Sequence, residues 1–327
     1  MGSSSSSKSK NSNHTAYPLI ALQANSISNI QSVTSKYVQN YIPSLLSNLQ
    51  SAENILKENQ HLNSKHERYE SLVHSWNLFR NHMKTSEQEM IHFCQEEWEY
   101  ENRVDDGLVC SHIIAVVIAV YVDWEFKIID EHDKNVILWA ALFHDVAKRG
   151  PPEMDTKDPF HPFTSASKAL RIFSRLGWVT KNDAVEEAAK YINESFFHYK
   201  WGNFMDNSRL PMIYPLLLKA TGLIEEIENF STYREIEMAV PKEQLFVFEI
   251  VAIILFHQSF DFDPKYPNFT PLKYDEILKY TSPRLVKLVS IMHKGDNGSY
   301  NFPLPMNKWT FGRRIENTTT QILRFFK

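Results

Sequence analysis

The most informative residues of the chain are an adjacent histidine and aspartate, His144 and Asp145, in the segment 135–148, NVILWAALFHDVAK. They follow a run of apolar residues, and an ionised aspartate in such surroundings is costly to bury unless it is paired or binds a cation. Imidazole and carboxylate are also the ligands of many hydrolytic metal sites. Lys148 and Arg149 follow after two apolar residues, and a basic pair suits a phosphate-bearing substrate. The segment therefore predicts a cation site that acts on phosphate.

Other residues of the same types stand beside apolar stretches. His112 opens SHIIAVV, His198 and His257 each end an apolar stretch, and Asp296 closes SIMHKGD. A single histidine on an apolar helix is more typical of a structural position than of a metal ligand. The pair at 144–145 differs because two polar groups share one apolar helix end.

The elements that must hold these residues are helices. Apolar residues recur at helical spacing along most of the chain, and strand-like alternation between hairpin turns is scarce. We expect the 135–148 helix to stop at Gly150-Pro151-Pro152, because proline cannot continue the hydrogen-bond ladder. We also expect a helix over 164–177 with a glycine C-cap, and helices that begin at Pro241 and Pro283. The fold class is predicted to be all-α.

Composition divides the chain into three predicted parts. Residues 1–30 are rich in serine and asparagine, which indicates a disordered arm. Residues 31–104 show amphipathic helical spacing and are expected to form an N-terminal helical region that packs on the core. Residues 105–327 contain the candidate ligands and form the predicted metal-binding domain.

Charge and cysteine content exclude several classes of protein. The net charge of −4 argues against general nucleic-acid binding, and the basic stretch at 308–314 is expected to be a solvated face. The two cysteines suit a reducing compartment. The apolar runs at 113–122 and 245–256 are shorter than the roughly 20 residues that a spanning helix needs. We expect a soluble, intracellular, cytoplasmic protein, and the sequence does not indicate its oligomeric state.

These residues resemble the HD-domain metal-dependent phosphohydrolases, whose pattern H…HD…D lies on a helical bundle. The string LWAALFHDVAKRG is very similar to the family's LxxAALLHDIGK, and HPFTSASKALRIFSRLG is similar to the helix that follows. The stretch AIILFHQSFDFDPKYP loosely resembles the IILxHHExxDGxGYP segment of the HD-GYP subfamily, without its glycines. The resemblance covers about residues 105–300. It implies an all-α, HD-type helical bundle.

The resemblance also implies a first metal site. His112, His144, Asp145 and Asp296 match the family pattern and would bind one divalent ion, iron, manganese, zinc or magnesium. Asp145 would bridge to a second ion in members that have two. His74 competes with His112 for the first position, but its distance from His144 is too long for the usual helical hairpin.

A second ion would take its ligands from histidines on the intervening helices. The candidates are His257 and His198, each of which ends an apolar stretch, and then His161. The segment 201–241 is longer than a minimal HD domain needs and is expected to shape the substrate pocket. His293 is expected to be structural.

The implied reaction is hydrolysis of a nucleotide or another small phosphate ester by a metal-activated hydroxide. Lys148 and Arg149 would bind the phosphate, and His161 or His198 would act as general acid if it were not a ligand. Asp145, Lys148 and His161 are therefore the candidate catalytic residues. Two alternatives remain open at this point: a non-catalytic nucleotide-binding or scaffold protein, and a di-iron oxygenase on the same scaffold.

The first residues, MGSSSSSKSK, resemble the N-myristoylation signal M-G-x-x-x-[ST], with Gly2 and Ser6 in the required places. One myristoyl chain gives only marginal and reversible membrane binding. Lys8 and Lys10 would contribute about 1 kcal/mol each near an anionic leaflet. A cloning leader and a chance match are the alternatives. The resemblance predicts weak membrane association through Gly2.

Overall fold

The computed structural model describes residue 54 and residues 103–104, 107–149, 158, 160–175, 177–179, 181–199, 210–224, 232–260, 272–299 and 310–327. The predicted disordered arm and nearly all of the predicted N-terminal helical region lie outside these residues. Both stay predictions, as does the proposed role of Gly2.

The described part of the chain is helical apart from one short antiparallel hairpin, which confirms the all-α prediction. The hairpin pairs β1 (Arg103–Val104) with β2 (Gly107–Leu108). The helices in chain order are α1 (Val109–Val122), α2 (Trp124–Ile128), α3 (Glu131–Phe143), α4 (His161–Arg175), α5 (Asn182–Tyr199), α6 (Leu210–Ala220), α7 (Tyr233–Ala239), α8 (Phe246–Phe256), α9 (Tyr274–Tyr280), α10 (Pro283–Ser299) and α11 (Thr310–Leu323). Two 3-10 turns, Lys242–Leu245 and Arg324–Phe326, precede α8 and follow α11.

The centre of the bundle consists of α1, α3, α8 and α10. Helix α1 packs on α3 and α10, and α8 packs on α3, α4 and α10. Helices α1 and α8 are apolar almost all round, so they can be stable only when other helices cover them. Helices α5, α6 and α11 pack against α4, α5 and α10 respectively. Among the described helices, none is both long and apolar enough to cross a membrane.

Helix α3 differs from its prediction at both ends. It begins earlier, after the N-cap Asp130, whose carboxylate accepts a hydrogen bond from the Asp133 amide at 2.9 Å. It ends at Phe143, so the His144–Asp145 pair lies in the turn that follows rather than inside the helix. Backbone bonds such as Lys148 N–H to Asp145 O, at 3.0 Å, replace the helical ladder there. The predicted stop at residues 150–152 was therefore too late.

Helix α4 begins three residues before the predicted start, because His161 and Pro162 form its first turn. A proline fits there since its missing N–H would have no partner inside the helix. The predicted glycine C-cap is confirmed: Gly177 has φ of +75°, and the N–H of Trp178 donates to Phe173 O at 2.8 Å. The α4 N-terminus therefore places His161 next to the turn after α3.

Candidate functional site

The candidate site is a buried cluster at one end of the central helices. It contains two groups of three residues, and within each group the potential ligand atoms lie within 4.8 Å of one another. Each group combines two imidazoles with one carboxylate. The first group is His112, His144 and Asp296, and the second group is Asp145, His161 and His257.

The helices bring these residues together from distant parts of the sequence. His112 lies in the first turns of α1, and Asp296 lies near the end of α10, which packs along α1. His144 and His257 are the residues directly after α3 and α8, two helices that also pack on each other. His161 is the first residue of α4.

The first group is compact. His112 Nε2 lies 3.1 Å from both Asp145 Oδ2 and Asp296 Oδ1. His144 Nε2 lies 3.4 Å from His112 Nε2 and 3.9 Å from Asp296 Oδ1. These four residues are the ones that match the family pattern in the sequence.

The second group is equally close. His161 Nε2 lies 3.1 Å from Asp145 Oδ1 and 3.3 Å from His257 Nε2. Asp145 therefore directs Oδ1 to the second group and Oδ2 to His112 and His144 of the first. This is the geometry that a bridging carboxylate requires.

Backbone contacts fix the tautomers of three histidines. His144 Nδ1 lies 2.7 Å from Ala141 O, His161 Nδ1 lies 2.5 Å from Asp158 O, and His257 Nδ1 lies 2.7 Å from Ile254 O. A carbonyl can only accept, so each Nδ1 carries the proton, and in the neutral ring each Nε2 presents a lone pair. Metal-binding histidines are usually oriented by such a bond from the other ring nitrogen.

This arrangement brings acceptors face to face. The Nε2 lone pairs of His161 and His257 lie 3.3 Å apart with no proton to share. Asp145 Oδ1, also buried, accepts no hydrogen bond from the described residues. Acceptors that face one another in a buried place are costly, and a cation between them removes that cost. The residues present therefore fit metal ions.

Both carboxylates are held in the ionised form. Burial opposes ionisation of Asp145, but its neighbours His144 and Lys148 outweigh burial and hold the Asp145 pKa well below its usual range. For Asp296, burial likewise acts against ionisation, but the hydrogen bond from His112 holds the pKa well below its usual range. Both groups can therefore serve as anionic ligands at neutral pH.

The histidines divide into two kinds. Burial lowers the pKa of His161, and it lowers the pKa of His257 to about 3. Burial also acts to lower the pKa of His112, but hydrogen bonds to Asp145 and Asp296 outweigh it and raise the value. His161 and His257 are thus neutral and able to bind metal, which favours the ligand role of His161 over that of a general acid.

The two basic residues lie in different surroundings. Lys148 is buried, and its Nζ lies 2.6 Å from Asp145 Oδ2, at the edge of the cluster. Arg149 instead donates from Nε to Asp158 Oδ2 at 3.1 Å. Asp158 also provides the carbonyl that orients His161. Arg149 therefore contacts the segment that positions His161, and Lys148 contacts the bridging carboxylate.

Two contributors to the site, Gln258 and Ser299, had no signal in the sequence. Gln258 Nε2 lies 3.1 Å from His161 Nε2, and Ser299 Oγ lies 3.3 Å from His112 Nδ1. His293 donates from Nδ1 to His257 O, which agrees with the structural role expected for it. Their contacts depend on helix packing, which no local pattern encodes. The side chain of His198, a predicted ligand, lies outside the described residues.

Comparison with known proteins identifies part of this arrangement. The sequence model of the HD domain family matches residues 109–220, a range that contains His112, His144, Asp145 and His161. No curated protein and no solved structure matches the chain. His257 and Asp296 lie beyond the matched range and complete the two groups in space. The HD-GYP-like stretch also lies beyond it, so that likeness stays a prediction.

Proposed function

We propose that this chain, which carries an HD domain in residues 109–220, is a metal-dependent phosphohydrolase that acts on a nucleotide or a related small phosphate ester. The observation that supports it is the pair of ligand groups joined by Asp145, in which buried acceptors face one another. When bound there, divalent cations would lower the pKa of a coordinated water towards neutrality and so supply the nucleophile.

The protein's own residues define how a phosphate would be held. Lys148 places a buried positive charge beside Asp145, where it would stabilise negative charge on the phosphoryl oxygens as the bond to phosphorus breaks. Arg149 would contribute indirectly, because its bond to Asp158 holds the segment that orients His161. A general acid for the leaving group would come from a residue other than His161, and His198 is our candidate.

The ligand types narrow the choice of metal. Each group offers two imidazoles and one carboxylate, and magnesium prefers an oxygen-only environment with several waters. Imidazole suits zinc, iron and, together with carboxylate, manganese. We therefore propose iron, zinc or manganese rather than magnesium.

Metal analysis combined with a substrate screen tests the proposal. The purified chain should contain a transition metal and should release phosphate from at least one member of a panel of nucleotides and phosphate esters. Asp145→Asn should lose both metal and activity, because it removes the carboxylate charge shared by the two groups. Asp183→Asn, at an exposed position in the first turn of α5, should change neither.

A metal-free wild-type protein, or an Asp145→Asn variant that keeps its activity, would refute the hydrolase. Thermal stabilisation by a nucleotide without any product would instead favour the non-catalytic binding protein.

An oxygenase is the second candidate, and one observation favours it. Two histidines and one carboxylate are also the ligand set of many non-haem iron oxygenases. This candidate predicts a visible absorption band from a di-iron centre and oxygen consumption with an organic substrate. The buried charge of Lys148 beside the cluster is the reason that we rank phosphate chemistry first.

Weak membrane association through Gly2 also belongs to the proposal, and a cytoplasmic location goes with it. The support is the sequence alone, in which Gly2, Ser6 and Lys8 match an acylation signal. Gly2→Ala should lower the membrane-bound fraction in a cell that myristoylates proteins. An unchanged fraction would reject this part of the proposal.

A further inference from the structure

Gln258 lies between the two ligand groups. It directly follows His257 in the turn after α8. Its Nε2 lies 3.1 Å from His161 Nε2 in the second group and 3.5 Å from Asp296 Oδ2 in the first. The side chain therefore contacts one potential ligand atom of each group.

The burial of Gln258 differs from that of the ligands. The six residues of the two groups are buried, whereas Gln258 is only partly buried. Of these seven residues, Gln258 is therefore the one with appreciable solvent exposure, and we take its side of the cluster as the accessible side, from which a substrate approaches. An amide is also neutral, so it can meet an anion there without electrostatic repulsion.

Binding of cations would change the partners of this amide. The Gln258 NH₂ group is a donor only, and its contacts are the His161 lone pair and an Asp296 oxygen. A cation held by His161 takes up that same lone pair, so the amide must then donate to another acceptor. A substrate oxygen that approaches both ligand groups from the accessible side would be such an acceptor.

We propose that the side-chain amide of Gln258 binds a phosphoryl oxygen of the substrate on the accessible side of the two ligand groups. The inference rests on the proposed hydrolase function and adds to it a substrate-binding residue outside the metal ligands. Gln258 would act by hydrogen bonding, while Lys148 supplies charge near Asp145.

Titration of the metal-loaded protein with inorganic phosphate tests the inference. Gln258→Met keeps a side chain of similar length but removes the donors, and loss of a hydrogen bond to a charged group should weaken phosphate binding about tenfold. Metal content, measured by mass spectrometry, should stay at the wild-type level. Gln258→Glu, which adds a negative charge at the same place, should weaken phosphate binding further. Gln244→Met, in the 3-10 turn before α8, is the matched control and should bind phosphate as the wild type does.

The possible results separate this inference from the proposed function. An unchanged phosphate affinity in Gln258→Met, a loss of metal in that variant, or no phosphate binding by the wild type would overturn the inference. Should Gln258→Met fail to fold, the affinity of Gln258→Glu decides in the same way. Gln258-dependent phosphate binding without hydrolysis of any ester would refute the hydrolase and leave the inference standing. Hydrolysis with no dependence on Gln258 would refute the inference alone.

Discussion

Arg284 should be one of the most important residues for stability, although it lies far from the candidate site. It lies in the first turn of α10, and its guanidinium donates to Asp133 of α3 from Nη2 at 2.5 Å and from Nε at 3.0 Å. The same group donates to Glu249 of α8, at 2.9 Å from Nη2 to Oε2, and to Glu237 of α7, at 3.2 Å from Nη1 to Oε1. We call Arg284, Asp133, Glu237 and Glu249 the arginine clamp.

The size of the effect follows from burial. The Glu249 side chain is 0% exposed and the Asp133 side chain is 9% exposed. Removing one partner of a buried ion pair costs roughly 3–5 kcal/mol, because the remaining charge is left in a poorly solvated place. Lys242 also contacts Asp133 at 2.9 Å, and Tyr233 donates to Glu249 at 2.7 Å. These remaining contacts partly stabilise the two carboxylates, so we expect Arg284→Met to lower the free energy of unfolding by about 3 kcal/mol.

Urea unfolding provides the measurement, and Arg171 provides the control. Arg171 pairs with Glu186 at 2.8 Å, but both side chains are exposed, so Arg171→Met should cost at most about 1 kcal/mol. Arg284→Met combined with Glu249→Gln should recover part of the loss, because the second change removes a stranded charge. If Arg284→Met costs no more than Arg171→Met, the reasoning from burial is wrong.

Two further predictions concern helix packing and acid stability. A Cβ at Gly295 would lie 2.5 Å from Val120 Cγ2, so Gly295→Ala should lower the free energy of unfolding by about 1–3 kcal/mol, and Val120→Ala should relieve part of that loss. For the chelator-treated protein, the free energy of unfolding should decrease as the pH drops below 6.5. In this range His257 becomes protonated in the unfolded chain, while burial keeps its pKa in the folded protein at about 3. From about pH 7.5 to about pH 5.5 this amounts to roughly 1.4 kcal/mol, and His257→Gln should have a flatter stability profile in the same titration. The raised pKa of His112 acts in the opposite direction, since His112 is protonated at a higher pH in the folded protein than in the unfolded chain. A His257→Gln stability profile as steep as that of the wild type would contradict the assignment of this pH dependence to His257.

The sequence could predict the helices and most of the cluster because the signal is local. Burying a polar side chain at the end of an apolar helix costs free energy, so a histidine in such a place calls for an explanation. His112, His144 and His257 could therefore be identified as candidates from the sequence. The length of α3 was harder to predict. The turn at 144–147 interrupts the helix without any glycine or proline, so nothing in the local sequence marks the end at Phe143.

His161 shows where local signals fail. It does not end an apolar stretch, so the sequence ranks it below His198 and His257. Its position depends on Asp158, whose carbonyl accepts from His161 Nδ1 and whose carboxylate accepts from Arg149. These contacts link the turn after α3 to the first residue of α4. Such a link is a property of chain path and packing, which hydrophobic periodicity does not report.

The arginine clamp also has no signal in the local sequence, and it contrasts with the cluster at the other end of the bundle. Asp133, Glu249 and Arg284 lie in the first turns of α3, α8 and α10. Four of the six candidate ligands lie at or just after the opposite ends of these helices, namely His144, Asp145, His257 and Asp296. In the clamp, each buried carboxylate receives N–H donors from the chain itself. In the candidate site, His161, His257 and Asp145 Oδ1 present acceptors to one another.

Buried carboxylates thus lie at both ends of the bundle, but under opposite conditions. The fold supplies the positive charge in the clamp and leaves acceptors facing one another in the cluster. Packing alone would favour neither arrangement over apolar side chains, because buried charges cost more than they return unless they are fully paired. The cluster is therefore best explained by partners that the chain does not encode, and divalent cations match its two imidazoles and one carboxylate in each group.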